Sequence, residues 1–456
     1  MFSRNNNKFS DLFLKIYASA FLVIFFYTLY RITLFYLEGV DIEIIFDKYF
    51  KYLIISTIFI LFFLISLKLN NNIKQNIVLI FTSTTIILYV IEIFLALYFP
   101  ELRDNEIRKI NRDKKIEKYN NFIDKNIFPF EVIKKEFNFN DKKIFPLTYI
   151  PNTNTFLCNE TGKDIFYQSD KYGFRNENSQ WENNEVDILL IGDSFVHGAC
   201  EENDKTIAGF LRQNGKNVIN LGMGGAGPLK EFAIFREYAQ FVKPQNVVWF
   251  FSEGTDLTKD LRGEKKNKIL IKYIKEEYSQ NLINDFIYLK PLLEDHIKKK
   301  ISNKSNEKKE PRRIKTNKII SHYLDKTKPL RLWNLRKLAS SFTKVEIKKI
   351  DPLFFEILQK VDLEVKKWNG KLFFVYMPEA RRYDNNLNRF ILKGRFRGKD
   401  FILESMNKLN IDIIDVDKEI FSNEIDPLKF FNKINVHYNE KGYKSIAFEI
   451  IDKLQN

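Results

Sequence analysis

The stretch Asp187–Gly198, which reads DILLIGDSFVHG, decides the fold. A short apolar run is followed at once by a Gly-Asp-Ser turn, the pattern of a buried strand that leads through a tight turn into a helix. Such a turn exposes the hydroxyl of Ser194 and points the following backbone N–H groups toward it. Ser194 is therefore a candidate catalytic nucleophile.

Four further apolar runs resemble the one before Ser194, and they are Asn217–Leu221, Asn246–Phe251, Lys371–Tyr376 and Ile411–Val416. Segments with helical periodicity separate them. Unbroken apolar runs that alternate with helices are typical of a parallel sheet covered on both faces. The predicted fold class is therefore α/β, three-layered, with a parallel five-stranded sheet, and ligands bind beyond the carboxyl ends of such strands.

The loops after these strands carry small and polar residues. Gly222–Pro228 is rich in glycine, so its backbone can approach a ligand closely and donate an N–H to an oxyanion. Pro228 removes a donor at the start of the next helix, which disfavours a dinucleotide-binding loop. Near the carboxyl terminus, His437 lies in a loop before an amphipathic helix and is the histidine best placed to act as a base. His197, one helical turn after Ser194, either lines the pocket or is packed beside it.

Taken in order, the blocks GDSF (192–195), NLGMGGAGP (220–228), SEGTD (252–256) and NVHYNEKGY (435–443) resemble the four sequence blocks of the SGNH (GDSL-type) hydrolase superfamily. Within it, the chain is similar to membrane-anchored bacterial members that act as acyl esterases or acyltransferases on surface polysaccharides. The resemblance implies a flavodoxin-like domain that needs no metal or organic cofactor. It also implies that Ser194 is the nucleophile, that His437 is the general base, and that the N–H groups of Ser194 and Gly225 form an oxyanion hole.

Two positions depart from the family pattern. The third block usually offers an asparagine to the oxyanion, and Thr255 stands there. The aspartate that usually precedes the histidine is replaced by Asn435, which is a candidate to orient His437. Without a triad acid, the imidazolium formed during attack is less stabilised. Two functions therefore stay open: a serine esterase or O-acyltransferase acting on an envelope glycan or lipid, and a non-catalytic carbohydrate-binding or assembly subunit. A carboxylate near His437 would favour the first, and the candidates are Asp193, Asp256 and Asp426.

The amino-terminal end is strongly apolar. The segments 16–37, 52–67 and 75–99 are long enough to cross a bilayer, which predicts three transmembrane helices. A cleaved signal peptide is the alternative for the first segment, but no small-residue cleavage site follows it. Glu92 is the only charge in the third segment, near its predicted outer end, and a proton or substrate relay is one role for it.

Arg4, Lys8 and Lys15 precede the first span, and Lys68 and Lys74 lie between the second and the third, whereas the first loop is mainly acidic. This distribution predicts a cytoplasmic amino terminus and an extracytoplasmic catalytic domain, which is periplasmic in a Gram-negative cell. The predicted organisation is a membrane anchor at 1–100, a polar stalk at 101–164, and a hydrolase-like domain at 165–456 with a helical, basic insertion at 258–349.

Charge and cysteine content narrow the function classes. The net charge is +15, and residues 298–318 alone hold ten Lys or Arg against two Glu. That run has no aromatic residue, which disfavours nucleic-acid binding and leaves a solvated loop or a contact with anionic lipid or acidic glycan. Two cysteines and four histidines exclude a disulfide framework, a cysteine-rich zinc site and an iron–sulfur cluster. In an oxidising compartment, Cys158 and Cys200 are a candidate disulfide that would tether the Cys158 loop over the site. The expected partners are an acylated glycan or lipid and the bilayer.

Overall fold

The computed structural model describes residues 2–37, 42–98, 118–183, 185–309, 331–342, 351–383, 398–432 and 437–455. The chain divides into two compact units. One comprises Met1–Leu102 with Leu324–Leu335, and the other comprises Arg103–Tyr323 with Arg336–Asn456.

The first unit is built on the helices α1 (Phe2–Leu37), α2 (Ile42–Ser66) and α3 (Asn71–Tyr98). In the described part of the chain, each of these three contains a stretch long and apolar enough to cross a membrane: Lys8–Leu34, Tyr49–Ser66 and Asn71–Leu97. The three predicted spans lie on these helices. Aromatic rings hold the helices together, since Phe63 is fully buried and contacts rings from both α1 and α3.

In the second unit, a helical segment at 118–124 is followed by five short strands. These are β1 (Phe128–Pro129), β2 (Phe137–Phe139), β3 (Lys142–Ile144), β4 (Asn154–Cys158) and β5 (Ile165–Gln168). They form the sheet β1-β4-β5 and the hairpin β2-β3. Phe128, Leu147 and Ile150 are fully buried in the main core. The expectation of a solvated stalk is therefore corrected for residues 118–164. Its apolar residues occur in short groups of two or three among lysines and asparagines, so neither composition nor periodicity showed that they are core residues.

The central sheet contains β6 (Ile188–Ile191), β7 (Val218–Asn220), β8 (Asn246–Ser252), β9 (Lys371–Met377) and β10 (Asp412–Asp415). Its strands are all parallel, in the order β10-β9-β8-β6-β7. The predicted α/β class and five-stranded parallel sheet are confirmed. This is the flavodoxin-like order, in which strands are added on one side of β6 and then on the other, so the switch point lies between the neighbouring strands β6 and β8. The turn that follows β6 and carries Ser194 lies at this switch point.

Helices cover both faces of the sheet. Further helices in the described part of the chain are α4 (Ile207–Gln213), α5 (Pro228–Val242), α6 (Leu261–Glu264), α7 (Lys268–Lys275), α8 (Leu282–Asp285), α9 (Lys290–Lys309), α10 (Trp333–Phe342), α11 (Pro352–Lys366), α12 (Lys399–Lys408) and α13 (Glu440–Gln455). Along β6, Leu189 and Ile191 join the core beneath α5 and α11. Ile188 and Leu190 point to the other face and join the core beneath α4 and α13. The alternation produces the three predicted layers.

The described residues of the insertion at 258–349, which are 258–309 and 331–342, are mainly helical. Helices α6, α7 and α8 pack against α5, and Leu270, Phe286 and Ile297 are buried in the main core. Only residues 298–309 of the basic run are described, and they continue α9.

Glu92 of α3 is fully buried within the first unit. Its carboxylate accepts hydrogen bonds from the backbone N–H groups of Asn334 (3.0 Å) and Leu335 (2.8 Å) and from the Asn334 side chain (3.0 Å). The first N–H groups of a helix have no intrahelical partner, and α10 begins at Trp333. The carboxylate that the sequence analysis considered for a relay thus caps a helix from the insertion.

Candidate active site

The structure brings together the serine and the histidine singled out in the sequence. Ser194 Oγ lies 2.9 Å from His437 Nε2, although 243 residues separate them. The turn after β6 presents Ser194, and the segment before α13 presents His437. Next to it, Tyr438 is fully buried and its hydroxyl donates to the carbonyl of Pro378, which fixes the backbone beside the histidine.

A carboxylate that was not among the sequence candidates contacts the other side of the imidazole. His437 Nδ1 lies 3.0 and 3.1 Å from the two oxygens of Glu160, in the loop between β4 and β5. The three sequence candidates have other contacts: Asp193 accepts from Phe195 and Ser252, Asp256 from Ser252, and Asp426 from Leu428. Asn435 lies outside the described residues. The sequence left the acid unidentified, and the carboxylate that contacts the histidine is that of Glu160.

The loop that carries Glu160 is joined to the segment that follows Ser194. Cys158 and Cys200 form a disulfide, with their Cα atoms 5.4 Å apart. An ion pair between Lys163 and Glu202 forms a second connection between the same two segments. Glu160 therefore lies between two links that hold its loop beside the serine turn.

The glycine-rich loop packs closely on that turn. The N–H of Met223 donates to the Gly192 carbonyl at 3.0 Å. A Cβ on Gly222 would come within 2.5 Å of the His197 backbone nitrogen, so only glycine allows this approach. Gly225 has a φ of +73°, which also favours glycine. Within the described residues, no hydrogen-bond acceptor contacts the N–H of Ser194 or of Gly225.

Thr255 stands at the third expected oxyanion position and is half-buried. Its hydroxyl donates to Asp256 at 3.4 Å, and its N–H donates to the Ser252 carbonyl at 3.3 Å. The hydroxyl must therefore leave Asp256 before it can serve an oxyanion.

His197 is fully buried and holds the glycine-rich loop in place. Its Nδ1 accepts the N–H of Gly224 at 3.3 Å, and its Nε2 lies 3.2 Å from the hydroxyl of Tyr167. Because a backbone N–H can only donate, Nδ1 is unprotonated and the ring proton is on Nε2. Burial, reinforced by the charge of Arg175, lowers the pKa of His197 to about 3. His197 is thus a neutral packed histidine.

Arg175 is a residue whose role sequence reasoning missed. Its buried guanidinium donates to the carbonyls of His197, Gly198 and Glu201, at 3.2, 2.7 and 2.7 Å. Burial lowers the pKa of Arg175 to about 10, so the group remains charged at neutral pH. It fixes the backbone on both sides of Cys200. The motif SDKYGFRN (169–176) was visible in the sequence, but not what its arginine contacts.

In the part of the chain that the structure describes, no group of three or more His, Cys, Asp or Glu side chains is placed to hold a metal ion.

Comparison with known proteins finds no matching family model and no matching curated protein. Solved structures do match. An acetyl xylan esterase, AlAXEase, is 14% identical over 59% of this chain and 99% of its own, with a TM-score of 0.31. A lipase/acylhydrolase from Enterococcus faecalis is 14% identical over 59% of this chain and 95% of its own, with a TM-score of 0.30. A member of the lipolytic protein G-D-S-L family from Veillonella parvula DSM 2008 is 12% identical over 59% and 97%, with a TM-score of 0.29. Likeness this distant does not assign a function.

Proposed function

We propose that this chain is a serine hydrolase of the SGNH type, which cleaves an O-acyl ester through an acyl-enzyme on Ser194. The observation that supports it best is the continuous contact from Ser194 Oγ to His437 Nε2, at 2.9 Å, and from His437 Nδ1 to Glu160, at 3.0 Å. A serine hydroxyl is too weakly acidic to attack an ester unaided, and this arrangement supplies a base and a carboxylate that orients the base.

Acylation begins when Ser194 Oγ bonds to the carbonyl carbon of the ester and His437 Nε2 takes the hydroxyl proton. Glu160 accepts the Nδ1–H, which keeps the correct tautomer and stabilises the imidazolium. The oxyanion accepts hydrogen bonds from the N–H groups of Ser194 and Gly225, each worth a few kcal/mol. The imidazolium then gives its proton to the leaving alkoxide oxygen as the C–O bond breaks, and the acyl group stays on Ser194.

Deacylation reverses these proton transfers with a new nucleophile. A water molecule gives hydrolysis, and a sugar hydroxyl gives acyl transfer, so esterase and O-acyltransferase share the first half of the reaction. His437 acts as the base toward either nucleophile. Accordingly, the proposal covers both outcomes and is tested first on the acyl-enzyme.

The proposed substrate is an acylated glycan or lipid of the cell envelope. Support comes from the three apolar helices and from the resemblance of the sequence blocks to membrane-anchored esterases and acyltransferases. We further propose that the amino terminus is cytoplasmic and the hydrolase unit extracytoplasmic. A periplasmic reporter fused after residue 110 should be active outside the cytoplasm, and activity on the inside would overturn this orientation.

The alternative, a non-catalytic carbohydrate-binding or assembly subunit, was favoured by the missing triad acid. Glu160 supplies the carboxylate whose absence favoured that alternative, since it contacts His437 from a part of the chain far from the histidine block. The hydrolase proposal is therefore the stronger of the two.

The test is to label the purified full-length protein with a fluorophosphonate and to measure acetate release from simple acetyl esters. We expect labelling of the wild type, none of Ser194→Ala, and strongly reduced labelling of His437→Ala. Ser405→Ala, at an exposed site on α12, is the control and should label normally. A wild type that neither takes the label nor releases acetate would refute the proposal.

A further inference from the structure

A cleft of about 570 Å³ opens beside helix α9 in the second unit. It is lined by Glu131, Val132, Lys134, Lys135, His296 and Lys300. Its volume falls within the range of about 300–1,000 Å³ that is usual for small-molecule sites. Nothing in the proposed reaction uses these residues.

The cleft shares a wall with the loop proposed to form the oxyanion hole. A Cβ on Gly225 would lie 2.8 Å from the Cγ2 atom of Val132, and a Cβ on Gly224 would lie 2.9 Å from the ring of Phe130. Residues 130–132 therefore pack directly on the glycine-rich loop. Val132 therefore belongs both to the lining of the cleft and to the packing of the loop proposed to bind the oxyanion.

Its charge is mainly positive. The only lining carboxylate, that of Glu131, forms an ion pair with Lys300 at 3.0 Å. Among the described residues, no carboxylate lies within ion-pair distance of Lys134 or Lys135. Lys135 instead lies over the ring of Phe137, at 5.7 Å from its centroid. Two ammonium groups are thus available to an anion.

The charge of these lysines affects the pKa of two neighbouring groups. Burial lowers the pKa of His296, and Lys300 and Lys135 lower it further. Burial also lowers the pKa of Lys230 to about 8, opposed by Glu264 and reinforced by Lys134. Lys134 and Lys135 thus lie close enough to affect groups on two different elements, α5 and α9.

We propose that this cleft binds a carboxylate or phosphate group on the glycan part of the ester substrate, so that the enzyme prefers an anionic glycan to a neutral one. This inference rests on the proposed function. The cleft is open, and Lys134 and Lys135 are exposed. A group on the substrate is favoured over a lipid surface because Val132 of the cleft packs on Gly225 of the loop proposed to bind the ester oxyanion.

The kinetic test compares Lys134→Gln/Lys135→Gln with Lys142→Gln/Lys143→Gln, a control that removes two exposed lysines of β3. The substrates are O-acetylated oligogalacturonate, neutral O-acetylated xylo-oligosaccharide and p-nitrophenyl acetate. For the first, we expect the cleft variant to raise KM about 10-fold with kcat unchanged, because the lysines bind ground state and transition state alike. The other substrates and the control should be unaffected. Equal KM values for all three proteins would overturn the proposal.

A binding test separates this inference from the proposed function. Calorimetry on the full chain carrying Ser194→Ala should detect unacetylated oligogalacturonate, with about 10-fold weaker affinity once both lysines are replaced. If this holds but no ester is cleaved, the cleft stands and the hydrolase proposal fails. If p-nitrophenyl acetate is cleaved but oligogalacturonate does not bind, the cleft proposal fails alone. Lysine-dependent binding of glycerophosphoglycerol, an anionic lipid headgroup, without binding of oligogalacturonate would replace the glycan with a lipid and overturn it.

Discussion

Both carboxylate oxygens of Glu160 lie within 3.1 Å of His437 Nδ1, although 277 residues separate the two side chains. Glu160 precedes the five-stranded sheet, and His437 follows its last strand. The acid that contacts the histidine therefore comes from outside the four sequence blocks. The role of Glu160 can therefore be tested by a substitution that leaves the four blocks unchanged.

Replacing Glu160 with glutamine should lower kcat/KM for an acetyl ester by about 10²–10⁴-fold, since the amide can donate to Nδ1 and select the wrong tautomer. Stability should change little, because the side chain is only partly buried. The measurement is steady-state hydrolysis beside fluorophosphonate labelling. Glu404→Gln, at an exposed position on α12, is the matched control. A loss below 10-fold would show that Glu160 does not orient His437.

The Cys158–Cys200 disulfide should act through Glu160. Replacing both cysteines with serine frees the loop two residues before Glu160, and we expect kcat/KM to fall about 10–100-fold, with an altered pH profile. A reductant should have the same effect on the wild type. A double-mutant cycle tests whether the disulfide acts through Glu160, because the effects of substitutions at residues that act together are not additive.

In the Glu160→Gln background, removal of the disulfide should cost little further activity. If the full 10–100-fold loss appears again in that background, the disulfide affects activity by a route that does not involve Glu160. Unfolding of each variant in detergent is the control for a general loss of structure.

The sequence predicted those parts of the site that depend on local patterns. The apolar runs predicted the five strands, and the loops at their carboxyl ends contain Ser194 and Gly225. Glu160 was missed because its neighbours, CNETGKD, have only the composition of a polar turn. A contact across 277 residues leaves no local pattern. The available signal was Cys158: a disulfide to Cys200, just after the serine block, already predicted that this loop lies over the site.

His197 should make stability depend on pH. The unfolded chain protonates this residue near pH 6.5, whereas the folded chain does so only near pH 3. Between these values the unfolded state binds more protons, so the free energy of unfolding falls as the pH decreases. Burial is the main cause of the lowered pKa of His197, and electrostatic interactions with Arg175, His437 and Lys230 lower it further.

The variant His197→Gln keeps an acceptor for Gly224 and a donor for Tyr167 but cannot titrate. We expect a shallower loss of stability than in the wild type between about pH 6.5 and pH 4, as measured by urea unfolding of the full chain in detergent. His296→Gln serves as the comparison, since that ring is less buried and should contribute less to the pH dependence of stability. Parallel pH curves for the wild type and His197→Gln would contradict the assignment.

Removing the carboxylate of Glu92 should release the start of α10. Glu92→Leu leaves three donors of Asn334 and Leu335 without their acceptor, at a cost of about 1–3 kcal/mol for each group that stays buried. We expect faster hydrogen exchange in peptides covering 333–342, with a smaller effect for Glu92→Gln, which keeps one acceptor. Ile93→Leu, on the exposed face of α3, is the control. If Glu92 acted in a proton relay, Glu92→Leu would instead lower the activity and leave hydrogen exchange at 333–342 unchanged. The two roles of this carboxylate therefore predict opposite results.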